Sequence, residues 1–113
     1  MKIYHNPRCS KSRQTLDLIK QKTKNYEIIE YLNEPLEFDD YKLILEKMEL
    51  KPINLVRIKE TIWKEKYKGK EMSDDDIIKA LVDNPKLMER PIVTTNTQAI
   101  IGRPPENVLN LFS

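Results

Sequence analysis

Short β-prone runs alternate with stretches of helical spacing along the chain. "KIY" at residues 2–4 is a β-like run that breaks at Asn6–Pro7. From about Ser10 to Lys22 the period changes, with Leu16 and Ile19 three apart and charges between them, which predicts a helix. "YEIIEYL" (26–32) is rich in β-branched and aromatic residues and is closed by "NEP", so it predicts a second strand. Phe38, Tyr41, Leu45 and Met48 then recur at helical spacing, and Asp39 and Asp40 favour the positive end of the helix dipole. A segment led by Pro52, with Leu55, Val56, Ile62 and Trp63, reads as short helices or irregular turns. "SDDDIIKALV" opens another helix, with Ser73 three residues before Asp76 as in a capping box, and stops at Asn84–Pro85. "PIVTTNTQAIIG" reads as two strands about a Thr/Asn turn, near enough in sequence to form a hairpin. Pro104 and Pro105 can start a last helix whose Val108, Leu109 and Phe112 would face inward.

The order is β-α-β, three helical pieces, then β-β-α. A βαβ crossover is parallel and right-handed, whereas a short hairpin is antiparallel. One mixed four-stranded sheet covered by helices satisfies both, which places the chain in the α/β class. Its 113 residues suit a single domain over 1–113, long enough for a real core and too short for two. There are no repeats, low-complexity segments or internal linkers.

Charge narrows the function classes. Twenty basic residues against 18 acidic ones leave a net +2, and a nucleic-acid binder would gather a larger basic excess on one face. The run "RIKETIWKEKYKGKE" looks basic, but its glutamates are interleaved, so it reads as a solvated surface. No apolar run approaches the length of a membrane span, and "MKIYHN" has no apolar region of the signal-peptide kind. One cysteine makes no internal disulfide, and no metal-ligand set stands beside it. The expected location is the cytoplasm.

The single cysteine and the single histidine, Cys9 and His5, fall in one loop, "YHNPRCSKSRQTL", between the first strand and the first helix. Backbone N–H groups at a helix start lack partners and point at whatever occupies the loop, which suits an anion. A thiol there has its thiolate favoured by those amides, and such cysteines titrate roughly one to five units below the free value of about 8.5. Arg8, Lys11 and Arg13 add positive charge, and Ser12 can offer a hydroxyl to the sulfur. The alternative is a buried structural cysteine, and the polar neighbours on both sides argue against it. Cys9 to Ser12 is C-x-x-S, so the position of a resolving thiol is empty and any redox cycle must borrow an external one. His5 tunes the thiol, moves a proton or merely packs at the strand end; the residues leave this open.

Three arginines outside the loop stand in unusual company. Arg90 precedes Pro91 at a strand start, Arg103 follows Gly102 at a strand-to-helix turn, and Arg57 sits beside apolar residues in "NLVRIK". Two Arg-Pro junctions flanking one hairpin would lie on the same side of the sheet. The guanidinium fork offers paired donors, so clustered arginines bind tetrahedral oxyanions well.

"HNPRCSKSRQTL", "NLVRIK", "NPKLMERPIV" and "IGRPPENVL" together resemble the glutaredoxin-coupled arsenate reductase (ArsC) family, over nearly the whole chain. The resemblance implies a thioredoxin-like fold with a helical insertion. It implies Cys9 as nucleophile, His5 and Ser12 as residues favouring its thiolate, and Arg57, Arg90 and Arg103 as the arginines holding the oxyanion. Pro91 matches the proline that is cis in thioredoxin-like folds. The implied reaction is attack of Cys9 on arsenate, reduction of the adduct by glutathione as co-substrate, and resolution of the mixed disulfide by glutaredoxin. The expected partners are thus an oxyanion, glutathione and glutaredoxin, with no bound cofactor, metal, nucleic acid or membrane, and the chain acting as a monomer.

Where the family has glycine and threonine after the cysteine, this chain has Ser10 and Lys11. Two other classes compete. One is a general glutathione-dependent thiol or oxyanion reductase. The other resembles the Spx-like regulators that grip RNA polymerase; those carry C-x-x-C and lack the arginine of the "GRP" junction, whereas this chain has Ser12 and Arg103.

Overall fold

A computed structural model describes residues 1–112. The strands are β1 (Lys2–His5), β2 (Glu27–Glu30), β3 (Ile92–Thr94) and β4 (Ala99–Ile101). The α-helices are α1 (Ser10–Lys22), α2 (Phe38–Met48), α3 (Thr61–Lys66) and α4 (Asp74–Asp83), and 3-10 helices cover Pro52–Leu55, Pro85–Leu87 and Pro105–Phe112. The chain forms two compact units: Met1–Glu34 together with the chain from Arg90 onward, and Pro35–Glu89.

In the first unit the strands make one sheet in the order β2-β1-β3-β4. β1 and β2 are parallel, while β3 runs antiparallel to both β1 and β4. The β-α-β crossover supplies the parallel pair and the hairpin the antiparallel one, so the mixed four-stranded sheet expected from the element order is the one formed, as is the thioredoxin-like arrangement that the resemblance implies. Register aligns Ile3 with Ile28 and Val93, and Val93 with Ile100. Side chains alternate along a strand, so these four share a face, and His5 joins them two residues on from Ile3. On that face Ile3 and Val93 pack with Leu16 and Ile19 of α1 and with Val108. Burial of this stripe docks α1 on the sheet and holds its first turn beside the end of β1.

The final helix departs from expectation in one respect. It is 3-10 throughout, and three residues per turn put Pro105, Val108 and Leu111 in line. Pro105 and Val108 are buried and Leu111 and Phe112 pack against the core, whereas Leu109, expected inward, is 36% exposed. An α-helical spacing would have turned Leu109 partly inward; the tighter winding carries it out.

The second unit is helical. Its α4 packs against α2 and against the 3-10 turns at Pro52–Leu55 and Pro85–Leu87. The capping box is complete: the Asp76 amide donates to Ser73 Oγ and the Ser73 amide to Asp76 Oδ2, both at 3.1 Å. The Pro52 segment becomes a 3-10 turn, an isolated antiparallel bridge between Val56 and Met88, and α3, whose buried Trp63 stacks on Tyr67. Among the described residues no helix is long and apolar enough to cross a membrane.

Candidate active site

The loop from β1 to α1 is tied down mainly by its own backbone and by Asn6. The Cys9 amide donates to the Asn6 carbonyl and the Arg8 amide to Asn6 Oδ1, each at 3.0 Å. Pro7 closes the turn and its carbonyl accepts from Arg13 Nη1 at 2.9 Å. Cys9 emerges as the N-cap residue of α1, in extended conformation. An N-cap side chain faces the otherwise unpaired amides of the first turn. Here the N2 and N3 residues are Lys11 and Ser12.

Burial pushes the Cys9 thiol up, but the opposing influences outweigh it and its pKa lies below the ordinary 9.0. In order these are the Ser12 amide, the positive charge of Arg90, a hydrogen bond from Arg90 and the Lys11 amide. The sulfur makes no full cap hydrogen bond in this geometry, yet the two amides lie near enough to favour the charged form. Arg103 adds a direct donor, with Nη2 3.6 Å from Cys9 Sγ. The residue is 8% exposed, so polar neighbours did not keep it at the surface. Arg8, Ser10 and Lys11 point to solvent while the N-cap geometry turns the thiol inward, toward Arg90 and Arg103. Burial and a lowered pKa fall here on the same residue.

The two arginines arrive from the ends of the hairpin. Gly102 N donates to Pro91 O at 2.8 Å, pairing the strand ends, and Arg103 Nε donates to the Arg90 carbonyl at 2.7 Å. Asn107 Nδ2 donates to the Arg103 carbonyl at 3.0 Å, holding the turn from the helix that follows. The Arg90–Pro91 and Arg103–Pro104 bonds are both cis. Arg90 Nε is buried without an acceptor among the described residues, an unmet donor beside a thiol that favours its charged form.

His5 and Ser12 meet beneath the loop. His5 Nδ1 lies 2.6 Å from Ser12 Oγ, and the Asn6 amide donates to the same oxygen at 3.0 Å. Ser12 therefore favours the thiolate through its backbone amide, while its hydroxyl, expected to reach the sulfur, is engaged by His5 and Asn6. Burial is the main cause that lowers the His5 pKa; Glu30 opposes it, and Lys20 and Arg13 add to it. Arg57 belongs to the helical unit. Its amide donates to the Leu87 carbonyl at 2.7 Å, Nη1 pairs with Glu60 Oε1 at 2.6 Å, and the same nitrogen lies 3.4 Å from the Lys86 carbonyl. Among the described residues no three His, Cys, Asp or Glu side chains converge as a metal site would require.

Two expected outcomes follow from these shifts. Iodoacetamide labelling of Cys9 against pH, read by mass spectrometry, should give an apparent pKa below the free-cysteine value of about 8.5, and Arg90→Ala should move it upward. A value at or above about 8.5 would contradict the assignment. For His5 the folded pKa is depressed, so its stabilising contribution is fully present above the unfolded value of 6.5 and is lost as pH falls through the folded one. The melting temperature should therefore drop as pH falls below 6.5, and His5→Asn should flatten that slope. Parallel slopes in the two proteins would place the acid sensitivity elsewhere.

Comparison with known proteins places the chain in a family. The model of the ArsC family matches residues 4–111. The uncharacterized protein YfgD of Escherichia coli K12 is 46% identical over 113 residues, covering 98% of this chain and 95% of its own. An arsenate reductase of Neisseria meningitidis is 38% identical over 110 residues, covering 96% of this chain and 94% of its own. The solved structure of an arsenate reductase from Vibrio cholerae superposes with a TM-score of 0.91 at 41% identity, over 97% of each chain. With the family model spanning the loop, the helical segment and both Arg-Pro junctions, the chain belongs to the ArsC family.

Proposed function

We propose that this chain reduces arsenate to arsenite through a thiol adduct at Cys9, with glutathione as co-substrate and glutaredoxin as the partner that regenerates the thiol. The observation that carries it is the pairing of a thiol below its ordinary pKa with two arginines, one of which donates to the sulfur at 3.6 Å. Relatives named arsenate reductase along nearly the whole chain support the same substrate.

The Cys9 thiolate attacks arsenic, a sulfur–arsenic bond forms, and one oxygen leaves as water after protonation. Arg90 and Arg103 balance the charge of the oxyanion, and the α1 amides do the same from the other side. A glutathione thiolate then attacks the Cys9 sulfur. The sulfur–sulfur bond forms as the sulfur–arsenic bond breaks, and the electron pair passes to arsenic, which leaves as arsenite. Glutaredoxin thiols open the mixed disulfide and return Cys9 to its reduced form. Two thiols supply the two electrons, and the chain has one cysteine, so the second must come from outside. Arg57 enters as a third oxyanion ligand on the resemblance alone. A free thiol and a glutathione supply suit a reducing compartment, the cytoplasm.

The test is arsenate-dependent NADPH oxidation with glutathione, glutaredoxin and glutathione reductase supplied. Turnover that requires arsenate and all three supports the proposal. Oxidation of NADPH with disulfide substrates and none with arsenate would favour a general thiol reductase, the class to which Ser10 and Lys11 in place of glycine and threonine leave room.

A further inference from the structure

We infer that Thr15 is a positioning residue for the thiol chemistry, setting the distance between the Arg103 guanidinium and the Cys9 sulfur; its turnover arm rests on the function proposed above. Thr15 is fully buried on α1, six residues after Cys9. Its hydroxyl lies 2.8 Å from the Lys11 carbonyl, the usual back-bond of a helical threonine. It also lies 3.3 Å from the carbonyl of Gly102, 87 residues away in sequence and next to Arg103. One hydroxyl proton thus bridges the first turn of α1 and the end of β4.

The approach is closer than a side chain at position 102 would allow. A Cβ at Gly102 would fall 2.7 Å from Thr15 Oγ1, 3.0 Å from Thr15 Cγ2 and 2.9 Å from Pro91 Cγ. Real Cβ atoms do not come that near, so glycine is what lets the strand end rest on the helix. Cys9 caps the helix on one side of this contact and Arg103 follows Gly102 on the other. The separation of sulfur and guanidinium therefore depends on how α1 and the Gly102 backbone meet, and Thr15 is the side chain at that meeting point. The side chain of Arg103 has a second anchor at the Arg90 carbonyl, but that anchor sits on the hairpin and does not tie the arginine to the helix.

Thr15→Val keeps the shape and removes the hydroxyl, while Thr15→Ser keeps the hydroxyl. Each is made alone and with Arg103→Ala, and folding is checked by thermal melting. The first readout is the iodoacetamide labelling rate of Cys9 below neutral pH, which needs no arsenate. Thr15→Val should slow labelling roughly threefold or more through a raised thiol pKa, one pKa unit being about tenfold in thiolate. Thr15→Ser should stay within about twofold of wild type, and with Arg103→Ala already present, Thr15→Val should add less than about twofold. Arsenate turnover should fall roughly tenfold or more in Thr15→Val, as for a misplaced catalytic group. An unchanged labelling rate in Thr15→Val, or the same loss with and without Arg103, would overturn the inference. Should Thr15→Val fail to fold, Thr15→Ala takes its place in the same cycle, and an effect that persists in full without Arg103 overturns it equally. A labelling cycle that behaves as expected in a protein inert toward arsenate would leave Thr15 as the positioning residue and refute the proposed substrate.

Discussion

Cys9→Ser should abolish arsenate-dependent turnover, by roughly a thousandfold or more, while the protein still folds. The reason is redox as well as nucleophilic. A serine hydroxyl at the same N-cap position still faces the α1 amides, and serine is a better cap than cysteine. An oxygen cannot form the mixed disulfide through which the second thiol delivers its electrons. Nor is any other cysteine present to take over. Melting temperature near that of the wild type, combined with turnover at the level of glutathione alone, is the expected pair of results. Substantial turnover in Cys9→Ser would mean that the chemistry runs through another group, and the thiol-adduct mechanism would be lost.

Arg90→Ala and Arg103→Ala should each slow turnover by roughly a hundredfold or more, as for removal of one donor from a preorganised oxyanion site. Both guanidinium groups act on the sulfur itself: Arg90 is among the main causes of its lowered pKa, and Arg103 donates to it. Arg8 and Lys11 are exposed, and Arg13 is spent on the Pro7 carbonyl at 2.9 Å. Alanine at those three positions should therefore cost only a few-fold, the scale of screened surface charge. Steady-state kinetics on the five variants checks this. Equal losses in all five would indicate a diffuse positive field in place of two directed donors. Arg57→Ala, measured beside them, reports whether the third arginine implied by the resemblance takes part.

The sheet was legible because each of its signals is local. The breaks at Asn6–Pro7 and Asn84–Pro85, the Leu16–Ile19 spacing and the hairpin turn all state their structure within a few residues, and α1 runs over Ser10–Lys22 as the spacing predicts. Leu109 was misplaced because the choice between 3-10 and α winding is made by the packing of Val108 against α1 and the sheet, which no local pattern carries. In the site, the loop and the flanking Arg-Pro junctions advertised a thiol among cations. The burial of Cys9 was not legible, since flanking polarity says nothing of which way an N-cap side chain turns. The role of Ser12 was half legible: proximity follows from the first helical turn, but its hydroxyl goes to His5, at the end of the strand that leads into the same loop. Thr15 gave no chemical signal at all. It reads as one more helical residue, and only the approach of Gly102 from the far end of the chain gives its hydroxyl a second acceptor.

A single cysteine makes the oxidised intermediate countable. Intact-mass analysis after incubation with arsenate and glutathione, before glutaredoxin is added, should show one glutathione per chain. One arsenite should be released per adduct formed, and the adduct should be absent in Cys9→Ser and should vanish when glutaredoxin is supplied. Robust multiple turnover with thioredoxin and no small thiol would contradict the monothiol mechanism, because this chain has no internal disulfide for thioredoxin to open.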